Sequence, residues 1–277
     1  MNKKRLIKMI ALGIKQIRDP YYQGFAAKLA FYFLMSIVPT IIVLSQLLGI
    51  FSVSLGALSD LIQKYVAEDA ADVVLKLISY QSTKTMNFVF VVITLWAASR
   101  AEYALMHIAN FTLTGGESTG NGYFRERIRA IKTMALTLFT LAFGLIILVY
   151  GELIIELVAA TLMSTIGINY EVNMFWLVLR WPVTMALYFM MVSYSYYILP
   201  SQRLKFRQIM PGSVFASVGM LVVTLGFKLY TEYMSNYDIL YGSMAAIVAV
   251  MMWFYFLAWA LVLGILCNKV WADTKHG

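Results

Sequence analysis

The sequence predicts an all-α, polytopic membrane protein with six transmembrane helices and both termini in the cytoplasm. Three observations predict it. The 277-residue chain is 61% hydrophobic and only 13% charged, whereas a soluble domain carries about 25% charge because its surface must face water. Six apolar runs are long enough to cross the membrane, since a hydrocarbon core about 30 Å thick takes about 20 helical residues. The basic residues alternate between the connections, concentrated on one side and sparse on the other.

The first element, Met1 to Arg18, reads as a basic amphipathic helix within a leader over 1–24. Leu6, Ile10, Ile14 and Ile17 share one face, while Lys3, Lys4, Arg5, Lys8 and Lys15 suit anionic headgroups. The competing expectation is an ordinary charged leader that only fixes orientation. Asp19-Pro20 stops this helix. A cleaved signal peptide is not expected, because the apolar stretch is broken by Lys15, Gln16 and Arg18.

A single transmembrane domain follows over 25–268. Its spans are about Ala26–Phe51, Asn87–Thr112, Ile131–Val158, Met174–Leu199, Met210–Tyr230 and Ser243–Asn268. Barrel strands would be shorter and would alternate in polarity. Between the first two spans, residues 57–79 repeat apolar positions at helical spacing, with Asp60, Lys64, Glu68 and Asp72 between them. That pattern predicts a short amphipathic external helix. Thr114–Gly122, reading TGGESTGNG, predicts a flexible turn, and 269–277 forms a tail.

The connections fix the orientation. Segments 1–25, 113–130, 200–209 and 269–277 carry 6, 3, 3 and 2 basic residues. Segment 52–86 carries Lys64, Lys76 and Lys84, and segments 159–173 and 231–242 carry none. This is the positive-inside pattern, with the first set cytoplasmic. Tyrosine clusters at Tyr21-Tyr22, Tyr194 to Tyr197 and Tyr230/Tyr233/Tyr237/Tyr241 sit near the expected interfaces. The net charge of +8 is therefore read as a topology signal, with no nucleic-acid partner expected.

Ionisable groups within spans are costly and are candidates for function. Arg100 lies about 20 Å along the second span at 1.5 Å per residue. Glu102 is two residues on, on a different face, and Lys28 of the first span is placed to reach Glu102. A cavity in the inner half, lined by Arg100, Lys28, Glu102, Ser99 and Asn110, would meet an anionic group. The alternative is a structural arginine bonded to carbonyls and to Ser99, Asn110 or Ser36, or one snorkelling to the interface. Towards the outside, Glu152 and Glu156 of the third span, Arg180 of the fourth and Lys228 of the fifth form a candidate interhelical charge network. A proton relay would use the same glutamates.

Pro39 and Pro182 fall inside spans and can kink them, freeing carbonyls to line a cavity. Gly212/Ala216 and Ser213/Ser217 are small-xxx-small pairs that favour close packing of the fifth span. The chain has one cysteine, Cys267, and two histidines, His107 and His276. His107 is expected to be a polar packing residue. No HExxH, GxSxG or Walker A motif is present. The expectation is a non-enzyme with no cofactor and no metal.

The segments AAKLAFYFLMSIVP (26–39), LWAASRAEYALMHIAN (95–110), LPSQRLKFRQIMPGSVFASV (199–218) and YGSMAAIVAVMMWFYFLAWALVLGILCN (241–268) resemble the YihY/BrkB family of bacterial envelope membrane proteins. The resemblance runs in order along nearly the whole chain. It implies a six-helix plasma-membrane protein of a family in which some members once carried a ribonuclease BN label. By this resemblance Ala27, Phe31, Tyr32, Ser36 and Pro39 match the family's first-span motif, Trp96, Ser99, Arg100 and Asn110 its second, and Pro200, Pro211, Gly212, Tyr241 and Gly242 its C-terminal half. Many relatives carry a glutamate before Leu-Asn at the end of the last span, where this chain reads Leu266-Cys267-Asn268.

Two functions fit. One is a multi-pass bacterial plasma-membrane protein that transports or handles an anionic amphiphile, with membrane lipids as partners. The other is a non-transporting envelope or scaffold protein whose buried charges only fasten helices.

Overall fold

The computed structural model describes residues 3–50, 75, 87–117, 122–166, 172–202, 204–233 and 245–274. Eight helices are described: α1 Lys3–Ile17, α2 Pro20–Ile50, α3 Asn87–Ala98, α4 Arg100–Thr114, α5 Tyr123–Ile166, α6 Val172–Ile198, α7 Phe206–Tyr233 and α8 Ala245–Asp273. Helices occupy the described parts of all six apolar runs. Three segments are long and apolar enough to cross a membrane: Pro20–Leu44, Phe206–Tyr230 and Ile247–Asp273. Apart from Leu75, which is helical, the predicted external helix over 57–79 lies outside the described residues, as do the tyrosines at 237 and 241.

Local chemistry sets the boundaries. Asp19 ends α1 and begins α2: its Oδ1 accepts the Tyr21 N–H at 2.9 Å, the geometry of an N-cap, and Pro20 takes the first helical position where its missing N–H costs nothing. At the end of α4, Gly115 adopts φ 69° and its N–H donates back to the last turn of the helix. A left-handed residue of this kind favours glycine. Helix α2 continues through Pro39 and α6 through Pro182.

The chain divides into two compact units, and each is built separately. The first comprises Met1–Ile37, Trp96–Met134 and Tyr188–Gly277. Its core gathers Tyr22, Phe25 and Leu29 of α2, Leu105, Met106 and Ile108 of α4, Val192 and Tyr196 of α6, Ile209 and Ala216 of α7, and Leu257 to Leu266 of α8. Helix α1 packs against α8, with Ile17 against this core and Ile14 exposed. The second unit comprises Val38–Leu95 and Ala135–Leu187. There α5 and α6 approach at Gly144, where a Cβ would come 2.9 Å from the Leu187 Cδ1.

The tightest packing lies between α7 and α8. Gly264 faces Gly212 and Ala216, and a Cβ on it would stand 2.7 Å from both the Gly212 carbonyl and the Ala216 Cβ. Gly212, Ser213, Ala216 and Ser217 are all buried, as small-residue spacing predicts. Lipid tails are as apolar as leucine, so close packing and interhelical hydrogen bonds hold helices together in a membrane. Both occur here. The Tyr196 hydroxyl donates to the Leu261 carbonyl at 2.5 Å, and Asn268 Oδ1 accepts the Gly212 N–H at 2.7 Å. Outside this core, large apolar side chains such as Phe31, Phe143, Phe215, Val222 and Phe256 are exposed. Apolar surface on this scale needs a hydrocarbon neighbour.

Candidate functional site

The second predicted span is two helices that meet at Ser99. Ser99 has φ −71° and ψ 0° and is fully buried. Its Oγ donates to the Trp96 carbonyl at 2.9 Å, a local bond that competes with the helical ladder. The helix resumes with the Tyr103 N–H on the Ser99 carbonyl at 3.0 Å. The last carbonyls of a helix lack intrahelical donors and carry a partial negative charge. At the end of α3 that charge attracts a cation from another helix.

The cation is Arg127, in the second turn of α5. Its NH2 donates to the Trp96 carbonyl, and its guanidinium lies 4.2 Å from the Trp96 ring centroid and 5.4 Å from that of Tyr103. Arg127 is only 4% exposed. Planar guanidinium stacks on aromatic faces better than an ammonium does, which suits arginine to this place. Its Nε has no hydrogen-bond partner, and among the described residues no carboxylate stands within ion-pair distance of it. Burial pushes the Arg127 guanidinium below its ordinary range. Tyr123 opposes that shift and the charge of Arg100 adds to it. Two guanidinium groups therefore lie within electrostatic reach of each other, one buried and one exposed.

Arg100 is the exposed one, the first residue of α4. The carbonyl bond and aromatic contact are made by Arg127. Ser99 is spent on the Trp96 carbonyl. Asn110 is buried and accepts the Ser201 N–H at 2.7 Å, tying α4 to the connection between α6 and α7. Glu102 is buried, whereas Lys28 is exposed, with its ammonium 5.6 Å over the Phe25 ring and within electrostatic reach of His107. His107 Nε2 stands 3.4 Å from Glu126 Oε2, with the Tyr103 ring 4.5 Å away. The structure thus gathers Ser99, Arg100, Tyr103, Tyr123 and Arg127 around one helix break, while Asn110 does separate structural work.

The side chains of Glu152, Glu156 and Arg180 lie outside the described residues, and Lys228 is exposed on α7. The interhelical charge network predicted for these four stays an expectation.

Arg127 and Glu126 are the residues that sequence reasoning missed. Both fall in a segment whose basic charge reads as a topology signal, because the third apolar run begins only at Ile131. A signal was present. Ala130, Thr133 and Met134 are buried on α5, and counting back three or four residues from Ala130 lands on Arg127 and Glu126.

The chain has recognisable relatives. The profile of a family described as Virulence factor BrkB matches residues 14–276. The chain is similar to ribonuclease-like protein YfkH of Bacillus subtilis, 27% identical over 246 residues that cover 87% of each chain. Shorter stretches are similar to UPF0761 membrane proteins. One, of Pseudoalteromonas translucida, is 34% identical over 24% of this chain and 22% of its own. Another, of Nitrosospira multiformis, is 34% identical over 26% of this chain and 16% of its own. No solved structure gives a significant match.

Proposed function

The chain belongs to the Virulence factor BrkB family of membrane proteins, and from that premise we propose that it binds and handles an anionic amphiphile in the bacterial plasma membrane. The proposal includes six spans with both termini cytoplasmic, the arrangement favoured by the alternation of basic residues between connections. It takes the protein as non-enzymatic.

One observation carries the reading. Arg127 is buried with an unpartnered Nε and lies within electrostatic reach of a second guanidinium, that of the exposed Arg100. Burying a charge is expensive unless it is paired and fully hydrogen-bonded, and two neighbouring arginines share a need for negative charge. A phosphate or carboxylate headgroup would satisfy both, because its oxygens accept several N–H donors at once. Trp96, Tyr103 and Tyr123 form the aromatic surround of the site, and the exposed Arg100 supplies its access side.

A scaffold role is the second reading, and a specific contact favours it. The bond from Arg127 to the Trp96 carbonyl joins α5 to the end of α3, which is what a purely structural arginine would do.

Proteoliposomes separate the two. Transbilayer movement of fluorescent phosphatidylglycerol and phosphatidylcholine is followed by dithionite quenching, for the wild type and Arg100→Gln. Faster movement of the anionic lipid, cut about tenfold by Arg100→Gln, supports the handling role, since one charge-assisted contact is worth about 1.5–3 kcal/mol. Equal movement of both lipids, unaffected by the substitution, favours the scaffold.

A further inference from the structure

A cavity lies on the other face of the α5 start from Arg127. Arg125 and Arg129 are i, i+4 on one side of the helix, whereas Arg127, two residues from each, points away. Opposite them runs the connection from α6 to α7. The space between, about 450 Å³, is lined by Arg125, Arg129, Tyr197, Pro200, Ser201 and Gln202, with two apolar neighbours and no acidic residue. That volume falls within the range of about 300–1,000 Å³ typical of small-ligand sites.

The wall of this cavity is fixed by bonds on both sides. Arg129 NH1 donates to the Pro200 carbonyl at 2.9 Å, and its NH2 lies 3.4 Å from Ser201 Oγ. The Ser201 N–H is held by Asn110. The guanidinium of Arg129 is thus aimed before any ligand arrives. Arg125 is exposed and has no such bond among the described residues, so its donors remain for an incoming group. Lys205 and Arg207, both exposed, follow the lining in sequence and add positive charge nearby.

We propose that this cavity binds the phosphate group of a phosphate ester, clamped between Arg125 and Arg129. The free fork of Arg125 matches the oxygens of a tetrahedral phosphate, Arg129 adds its charge and the N–H donors not spent on the wall, and the Ser201 hydroxyl and the Gln202 amide offer further donors. The rest of the cavity accommodates the esterified part, which a bare ion would leave unfilled. The ester is either a phospholipid headgroup or a soluble phosphorylated metabolite. The proposal stands apart from the Arg127 site, and its test keeps the two distinct.

The full chain in phosphatidylcholine nanodiscs is titrated with glycerol 3-phosphate by calorimetry. In parallel, retention of phosphatidic acid is measured by native mass spectrometry. Wild type binds at least one probe. In an Arg100→Gln background, which removes the access side of the Arg127 site, Arg125→Gln weakens the remaining binding about tenfold and Arg125→Glu abolishes it, both at unchanged melting temperature. Binding of glycerol 3-phosphate identifies a soluble source, and binding of phosphatidic acid alone identifies a lipid. The proposal is overturned if wild type binds neither probe, or if both Arg125 variants bind as Arg100→Gln alone does.

Discussion

The guanidinium of Arg127 donates to the backbone carbonyl of Trp96 and lies 4.2 Å over the indole of the same residue. One side chain therefore satisfies the end of a broken helix and fills the space beside it. Helix α3 ends where Ser99 turns its hydroxyl onto that same carbonyl. The break and the arginine that answers it are a single feature, assembled from residues 31 positions apart in the chain.

Replacing Arg127 should therefore cost stability in proportion to what each substitute loses. Arg127→Lys keeps the charge but gives up the planar stack and the fork, an expected loss of about 1–2 kcal/mol. Arg127→Gln also removes the charge-assisted bond, for about 1.5–3 kcal/mol. Denaturant titration of the detergent-solubilised protein reads both values. Equal stability of the two variants and wild type would mean the contact contributes nothing.

The α7–α8 contact makes a steric prediction. Ala at 212 or 264 would press its methyl into backbone of the opposite helix, and overpacking of this kind costs about 1–3 kcal/mol. Gly24 provides the control, since nothing lies within 4 Å of the place its methyl would take. There Gly24→Ala should be neutral or stabilising by about 0.5–1 kcal/mol, through the helix propensity of alanine. Thermal melts of the three variants distinguish these outcomes.

Asn268 is the polar counterpart of that contact. Asn268→Leu leaves the Gly212 N–H without its acceptor in a buried position. Interhelical hydrogen bonds of this kind are worth about 0.6–2 kcal/mol in membranes. The variant should melt earlier, and the double substitution with Gly212→Ala should cost less than the sum of the two, because both act at one contact.

Topology gives a fourth prediction. In a Cys267→Ser background, cysteines placed at Glu117 and Asp273 should react with an impermeant maleimide only from the cytoplasmic side. A cysteine at Lys64 should react only from outside. Reaction of all three from one side would contradict six spans.

Much of this architecture is legible in the sequence. Apolar runs announce their helices because a bilayer imposes span length directly, and Gly212 and Ala216 announce their contact because only small residues let backbones approach. The candidate site was less legible, for two physical reasons. Arg127 sits just before an apolar run that the sequence predicts to be a span, where an arginine also reads as an ordinary topology charge. The Ser99 break leaves no proline or glycine as a marker, since the chain breaks through a serine hydroxyl that could equally bond within an unbroken helix. Arg100 stands out in the sequence because it interrupts an apolar run, yet the buried guanidinium is the one at 127.

The central claim is that Arg127 and Arg100 together hold an anionic headgroup, and native mass spectrometry of the protein from mixed lipid tests it most directly. Wild type should retain phosphatidylglycerol in preference to phosphatidylcholine, and Arg100→Gln should lose about tenfold of that preference without a change in melting temperature. Retention that ignores lipid charge, or an unchanged preference in Arg100→Gln and Arg127→Gln alike, would contradict it.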